Sequence, residues 1–270
     1  MKEVCIVTGA SSGLGRALSE LLCEKGYKIY VVARRIKELE ELKKQCRKLK
    51  GHIEIIDGDL TKKEFRESLI SQVIKKEGKI DFLFNNAGFG KATRLEHHEK
   101  DEIHQMFETN VVAYIHLASL ALKHMKKRDK GRIINTGSVV AFTPLPYFTT
   151  YNATKSAVYT FNRSLRYELK DSNITSTVVL PARMKTGFAK VAYDCYAIKG
   201  RDECIKEFNK MAGSPYIVAK KIVAQMDSGK EVILPTFLSF LWYTAGYFEF
   251  IVNFVMKNIL GPKQAEHLMK

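Results

Sequence analysis

Tyr151 and Lys155 stand four residues apart in Tyr-Asn-Ala-Thr-Lys, and Ser138 lies thirteen residues before the tyrosine. On a helix, residues four apart share a face, so phenol and ammonium can meet one ligand. The three side chains suit proton exchange at a carbonyl or alcohol oxygen. Hydride addition to a carbonyl leaves an alkoxide that must take a proton. A free tyrosine titrates near about 10, too high to serve readily at neutral pH. A neighbouring ammonium favours the phenolate and is expected to lower that value. A serine just past a strand can hold the substrate oxygen while the tyrosine exchanges the proton. Tyr-x-x-x-Lys alone is common in a lysine-rich chain, and its weight comes from what lies upstream.

That upstream feature is Thr8-Gly9-Ala10-Ser11-Ser12-Gly13-Leu14-Gly15, which follows an apolar run and opens a helical pattern. Its glycines permit a tight turn and close approach of backbone to a pyrophosphate. The helix N-terminus adds free N–H groups and a positive dipole. Gly9, Ser11, Ser12, Gly13, Leu14 and Gly15 are therefore candidate dinucleotide ligands; the bland alternative is a glycine loop with no ligand. The next apolar run ends Val31-Val32-Ala33-Arg34-Arg35. An acidic residue there would accept from a ribose 2′-hydroxyl and select NAD. Ala33 is neutral, whereas Arg34 and Arg35 can meet a 2′-phosphate with charge-assisted donors, which points to NADP(H). The alternative is that both arginines begin a solvated helix.

The elements that must hold these residues alternate. Short apolar runs at 4–7, 29–33, 53–56, 82–84, 132–136, 175–180 and 231–234 read as strands. Helical patterns cover 13–25, 36–49, 64–76, 104–125, 151–169 and 217–226. Such alternation predicts a parallel sheet with helices on both faces, and right-handed crossovers make it a doubly wound, Rossmann-type α/β sheet. No repeat or linker divides the chain. We expect one catalytic domain over 1–235 with an apolar helical extension over 236–270.

Composition narrows the classes. The chain has 270 residues, 46% of them apolar, and its mean hydropathy is −0.17, which suits one soluble domain. Five cysteines with no Cys-x-x-Cys spacing argue against a disulfide framework or a zinc site and for reduced thiols in the cytoplasm. Residues 4–7 are too short for a signal-peptide core. The net charge of +15 would suit an anionic cofactor, substrate or surface. No nucleic-acid motif accompanies the basic clusters at 43–50 and 123–132, which read as solvated helix faces.

With these residues in place, the sequence resembles the short-chain dehydrogenase/reductase family over roughly residues 2–190. The resemblance rests on the cradle at 8–15, Asp59-Leu60, Asn86-Ala87-Gly88, Asn110, Ser138 and Tyr151/Lys155. It implies a seven-stranded parallel sheet, with Asp59 and Leu60 near the adenine and Asn86, Ala87 and Gly88 beside its ribose. It implies Lys155 on the nicotinamide ribose and Asn110 holding a water in a proton relay. Pro181, Met184 and Thr186 fall in the nicotinamide pocket. The family usually has Pro-Gly where this chain has Pro181-Ala182.

Residues 188–214 are expected to form a flap over the substrate. Phe188, Val191, Tyr193, Tyr196, Ile198, Phe208 and Met211 lie in it, and Val139, Val140, Phe142, Pro144, Leu145, Tyr147 and Phe148 approach the same site. That lining suits an apolar or lipid-like carbonyl or secondary alcohol, such as a steroid, acyl chain or long-chain ketone. It is similar to the lipid-modifying and hydroxysteroid-type branches of the family; ordinary packing of the flap is the alternative. The segment 236–256 is rich in aromatic residues but interrupted by Gly246, Glu249 and Asn253. It can cover the cleft, form a subunit interface in a homo-oligomer, touch a membrane peripherally, or span one. Lys257, Lys263 and Lys270 would suit anionic headgroups. A non-catalytic NADP(H)-binding sensor or membrane-surface scaffold is the competing function; it predicts loss of a catalytic residue, and all four are present.

Overall fold

The computed structural model describes residues 2–193, 201–210, 212–255 and 258. The strands are β1 (Val4–Thr8), β2 (Lys28–Ala33), β3 (His52–Asp57), β4 (Phe82–Asn85), β5 (Gly131–Thr136), β6 (Ile174–Val179) and β7 (Val232–Ile233). They form one seven-stranded sheet in the order β3-β2-β1-β4-β5-β6-β7, parallel at every pairing. The order reverses between β1 and β4, so the loops leaving their carboxyl ends diverge and open a crevice.

Side chains alternate across the sheet and build a core on each face. Cys5 and Val7 of β1 pack under α1 (Gly13–Glu24), α2 (Ile36–Gln45) and α9 (Pro215–Gln225). Val4 and Ile6 pack against α3 (Lys63–Glu77), α5 (Ala113–Arg128) and α6 (Thr149–Glu168). Local signals set several helix ends. Gly78 takes a left-handed conformation after α3, and Ser214 accepts from the Tyr216 N–H to start α9 on Pro215.

One expectation needs correction. The helix read over 104–125 is longer and is not uniform. It runs as α4 (Lys100–Phe107), a π turn (Glu108–Val112) and then α5. A single π turn interrupts the α-helical hydrogen-bond ladder without ending the helix. The tail forms two helices, α10 (Phe237–Ala245) and α11 (Glu249–Val255). Gly246 between them lies against Phe142, where an added Cβ would stand 2.5 Å from the Phe142 Cβ. In the flap, α7 (Phe188–Ala192) and α8 (Arg201–Lys210) are formed. Cys195, Tyr196, Ile198, Met211, Lys257, Lys263 and Lys270 lie outside the described residues.

Candidate active site

Thr8, the last residue of β1, ties the crevice together. Its hydroxyl donates to the Phe84 carbonyl at 3.1 Å and accepts from the Asn86 and Ala87 N–H groups at 2.8 and 3.0 Å. Its carbonyl accepts from the Asn86 side-chain amide at 2.9 Å. Gly9 follows at φ +67°, and a Cβ there would meet the Ala87 Cα at 2.8 Å. Gly15 is tighter, since its Cβ would fall 2.4 Å from the Gly9 carbonyl oxygen and 2.6 Å from the Asn86 amide nitrogen. The cradle thus exists only with glycine at these two places. The Ser12 side chain makes no capping hydrogen bond at the start of α1, so the first-turn N–H groups stay open to an anion.

A cavity of about 760 Å³ runs from this cradle to the flap. Gly9, Ser11, Ser12, Gly13 and Leu14 line it at one end, with Arg34, Arg35, Asp59 and Leu60. Asn86, Ala87, Gly88, Ser138, Tyr151, Lys155, Pro181, Met184 and Thr186 continue it. Gly15 and Asn110 do not line it and act from behind the wall. The Arg35 guanidinium donates to the Ser11 and Ser12 hydroxyls, each at 2.9 Å, and lies 3.4 Å from Glu38. Asp59 combines a turn role with its place in the wall, accepting from the Thr61 N–H at 3.0 Å. A dinucleotide fits this donor set: an anion-ready helix start, two guanidiniums and a glycine-walled groove.

The proton-handling groups converge at the middle of the cavity. The Lys155 ammonium donates to the Thr136 carbonyl at 2.8 Å and lies 5.6 Å from the Tyr151 ring centroid. Lys155 is only 4% exposed, and burial draws its pKa down to about 7. Burial pushes the Tyr151 phenol up, and a hydrogen-bonding contact with Ser138 works against that rise. The expected lowering of the tyrosine by the lysine is therefore not present in the free protein. Desolvation drives both groups toward their neutral forms.

Asn110 sits in the π turn, fully buried. Its amide donates to the Phe89 carbonyl at 2.8 Å and to the Thr154 hydroxyl at 3.1 Å, and its oxygen accepts from the Phe89 N–H at 3.1 Å. Both amide protons are used, so its side chain positions the loop after Gly88 against α6. A π turn inside an α-helix commonly marks a functional site, and this one carries Asn110.

Three contributors escaped the sequence reading. Gly90 lets the Tyr151 ring approach, since a Cβ there would stand 2.9 Å from the ring. Thr136 and Thr154 anchor Lys155 and Asn110. Their signal was one of position only, a threonine closing β5 and another one residue before the lysine. The tail also reaches the site. Leu238 and Trp242 of α10 line the cavity, and Ser239 accepts from the Ala182 N–H at 3.2 Å. Phe142 holds Tyr243 at 4.8 Å between ring centroids.

A doubly wound parallel sheet with a phosphate cradle at its switch point and a Ser/Tyr/Lys cluster beside it defines a nucleotide-dependent oxidoreductase. The chain belongs to the short-chain dehydrogenase family, whose model matches residues 3–195. An uncharacterized oxidoreductase of Staphylococcus saprophyticus is 32% identical over 87% of this chain and 94% of its own length. Human 17-beta-hydroxysteroid dehydrogenase type 3 is 30% identical over 77% of this chain and 67% of its own. Among solved structures, a short-chain dehydrogenase/reductase from Burkholderia phymatum in complex with NAD superposes with a TM-score of 0.84. It is 20% identical and covers 93% of this chain and 95% of its own.

Proposed function

We propose that the protein moves a hydride between NADP(H) and the carbonyl or secondary alcohol of an apolar or lipid-like substrate. The observation that carries this reading is the convergence of Ser138, Tyr151 and Lys155 on one cavity with an anion-ready cradle at its other end. The nicotinamide, when bound, supplies or accepts the hydride. Ser138 holds the substrate oxygen, and the Tyr151 phenol gives that oxygen its proton or takes it away. Lys155 restores the tyrosine and, when protonated, favours its phenolate. Ala33 and the two arginines support NADP(H): Arg34 lines the cavity with no ion pair among the described residues, while Arg35 is braced over Ser11 and Ser12. The rings of Phe148, Phe188 and Trp242 in the wall support an apolar substrate.

The test is NADPH oxidation over a panel of ketones, steroids and acyl carbonyls, with Tyr151→Phe as the control. That substitution removes only the hydroxyl and should lower turnover at least ~100-fold while NADPH binding persists. A near-normal rate in Tyr151→Phe would overturn the mechanism.

A further inference from the structure

Arg183 is a cation in the wall of the active-site cavity with no counter-ion among the described residues. It follows β6 in Pro181-Ala182-Arg183 and lines the cavity on the flap side. Its guanidinium carbon lies 5.5 Å from the centroid of the Phe208 ring on α8. Among the described residues its side chain makes no hydrogen bond and no ion pair. Elsewhere buried Arg66 is paired with Glu108 at 2.6 Å, and exposed Arg128 with Asp81 at 2.9 Å. Arg183 is half-buried among rings instead. Phe208 is 6.2 Å from Phe188 and 6.4 Å from Tyr193, and Phe188 is 5.2 Å from Tyr151, all between centroids. A wall of rings therefore runs from the Tyr151 phenol to the guanidinium.

The physical consequence follows from the shape of the group. The cation lies over the Phe208 ring, whose face attracts it. The N–H donors lie in the plane of the guanidinium, at its edge, and among the described residues none of them is used. A planar fork of donors, held by a ring and partly stripped of water, matches the two oxygens of a carboxylate or phosphate. Its charge also reaches Tyr193, whose phenol is pushed up by burial to about 12 against the pull of Arg183. Phosphates of a dinucleotide have their own donors at the other end of the cavity, in the α1 first turn and at Arg34 and Arg35.

We propose that Arg183 is a specificity-determining residue that holds the oxyanion head of an otherwise apolar substrate. The substrate class is then an amphipathic anion, a carbonyl or alcohol carried on an apolar chain or ring that ends in a carboxylate or a phosphate. This rests on the reading of the cavity as an oxidoreductase site. A neutral steroid or ketone would leave the guanidinium edge unpaired beneath it, at the desolvation cost that a charged donor carries.

The test is calorimetric titration of the NADPH-loaded enzyme with dodecanoate, dodecyl phosphate and 1-dodecanol. One or both anions should bind at least ~10-fold tighter than the alcohol, the scale of one charge-assisted pair. Which anion binds tighter separates carboxylate from phosphate substrates. Arg183→Gln should erase the preference, and Arg183→Lys should keep part of it. NADPH affinity and melting temperature, measured on each variant, show that it is folded and loaded. Equal binding of anion and alcohol by the unmodified enzyme would overturn the proposal, as would a preference that survives in Arg183→Gln. So would a ~10-fold loss of NADPH affinity in Arg183→Gln, which would assign the guanidinium to the cofactor. An anion preference lost in Arg183→Gln, in a protein that reduces no carbonyl, would instead retain the anion site and refute the oxidoreductase reading.

Discussion

At the cradle end of the cavity, shape is held by backbone. Thr8 ties β1 to β4, and Gly9 and Gly15 allow contacts that no side chain could share. At the flap end, shape is held by ring contacts among Phe148, Tyr151, Phe188, Tyr193 and Phe208. Gly187 there has nothing within 4 Å of where its Cβ would lie and an ordinary negative φ of −65°. Backbone cannot repack, whereas rings can slide by a rotamer. The first end is therefore built for one ligand shape, and the second for a class of them.

The sharpest test of this contrast is a pair of alanines. Gly15→Ala places a methyl 2.4 Å from a carbonyl oxygen. It should weaken cofactor binding ~100-fold or more and lower stability by about 1–3 kcal/mol, the usual cost of overpacking. Gly187→Ala should bind cofactor normally and gain about 0.4–1 kcal/mol, because it restricts only the unfolded chain. Chemical denaturation and cofactor titration of both variants decide this. A tolerated Gly15→Ala would remove the basis of the contrast.

The next effect concerns the anion-binding character of the first end. Arg34→Ala combined with Arg35→Ala should weaken NADPH by ~10- to 100-fold, the loss of one or two charge-assisted bonds. NADH, which lacks the 2′-phosphate, should change by less than about 3-fold. Equal losses for both cofactors, or tighter NADH binding by the unmodified protein, would overturn the NADP(H) assignment.

The same contrast explains what the sequence discloses. The cradle, the Tyr-x-x-x-Lys spacing and the strand alternation are local features, readable from neighbours along the chain. Thr8 and Gly90 act on residues far away in sequence, and their roles needed the fold. Arg183 meets Phe208 only because α8 returns over the loop after β6. The π turn at Asn110 does not end the helix, so the apolar residues on either side of it read as one element. The titration of Tyr151 differs from the sequence expectation for a related reason. Charge proximity can be read from an i, i+4 spacing, but depth of burial cannot, and burial raises the phenol.

That burial makes a third, smaller effect. Unfolded Lys155 keeps its proton up to about pH 10.4, and the folded protein loses it near pH 7. Between those values the unfolded chain holds one more proton, so stability of the cofactor-free protein should rise with pH through that window. Lys155→Met should flatten this rise and stabilise the protein below pH 7, where the buried charge is otherwise uncompensated by an acid. Melting curves from pH 6 to 10 on both proteins check the sign. A slope unchanged by Lys155→Met would mean that Lys155 is not the group responsible.

The weakest effect belongs to the outer side of the substrate end. Leu238 and Trp242 of α10 line the cavity, whereas Phe237, Phe240 and Leu241 of the same helix are exposed. Phe237 is 74% exposed and Phe250 of α11 is 73% exposed. Among the described residues no helix is long and apolar enough to cross a membrane. A ring-bearing surface beside the mouth of an apolar cavity suits peripheral contact with lipid, from which a chain-bearing substrate would enter. The chain's net charge of +15 adds attraction to anionic headgroups. We expect the protein to be extractable without harsh detergent and to co-sediment with vesicles containing anionic lipid more than with neutral ones, the difference fading as salt rises. Phe237→Ser with Phe250→Ser should reduce vesicle binding ~10-fold or more, since each ring contributes up to about 1.5–3 kcal/mol when fully buried. The anion preference at Arg183 should be untouched, because neither ring is among the residues that line the cavity. Binding that ignores both the lipid charge and the two substitutions would mean that this face has another occupant, such as a second copy of the chain.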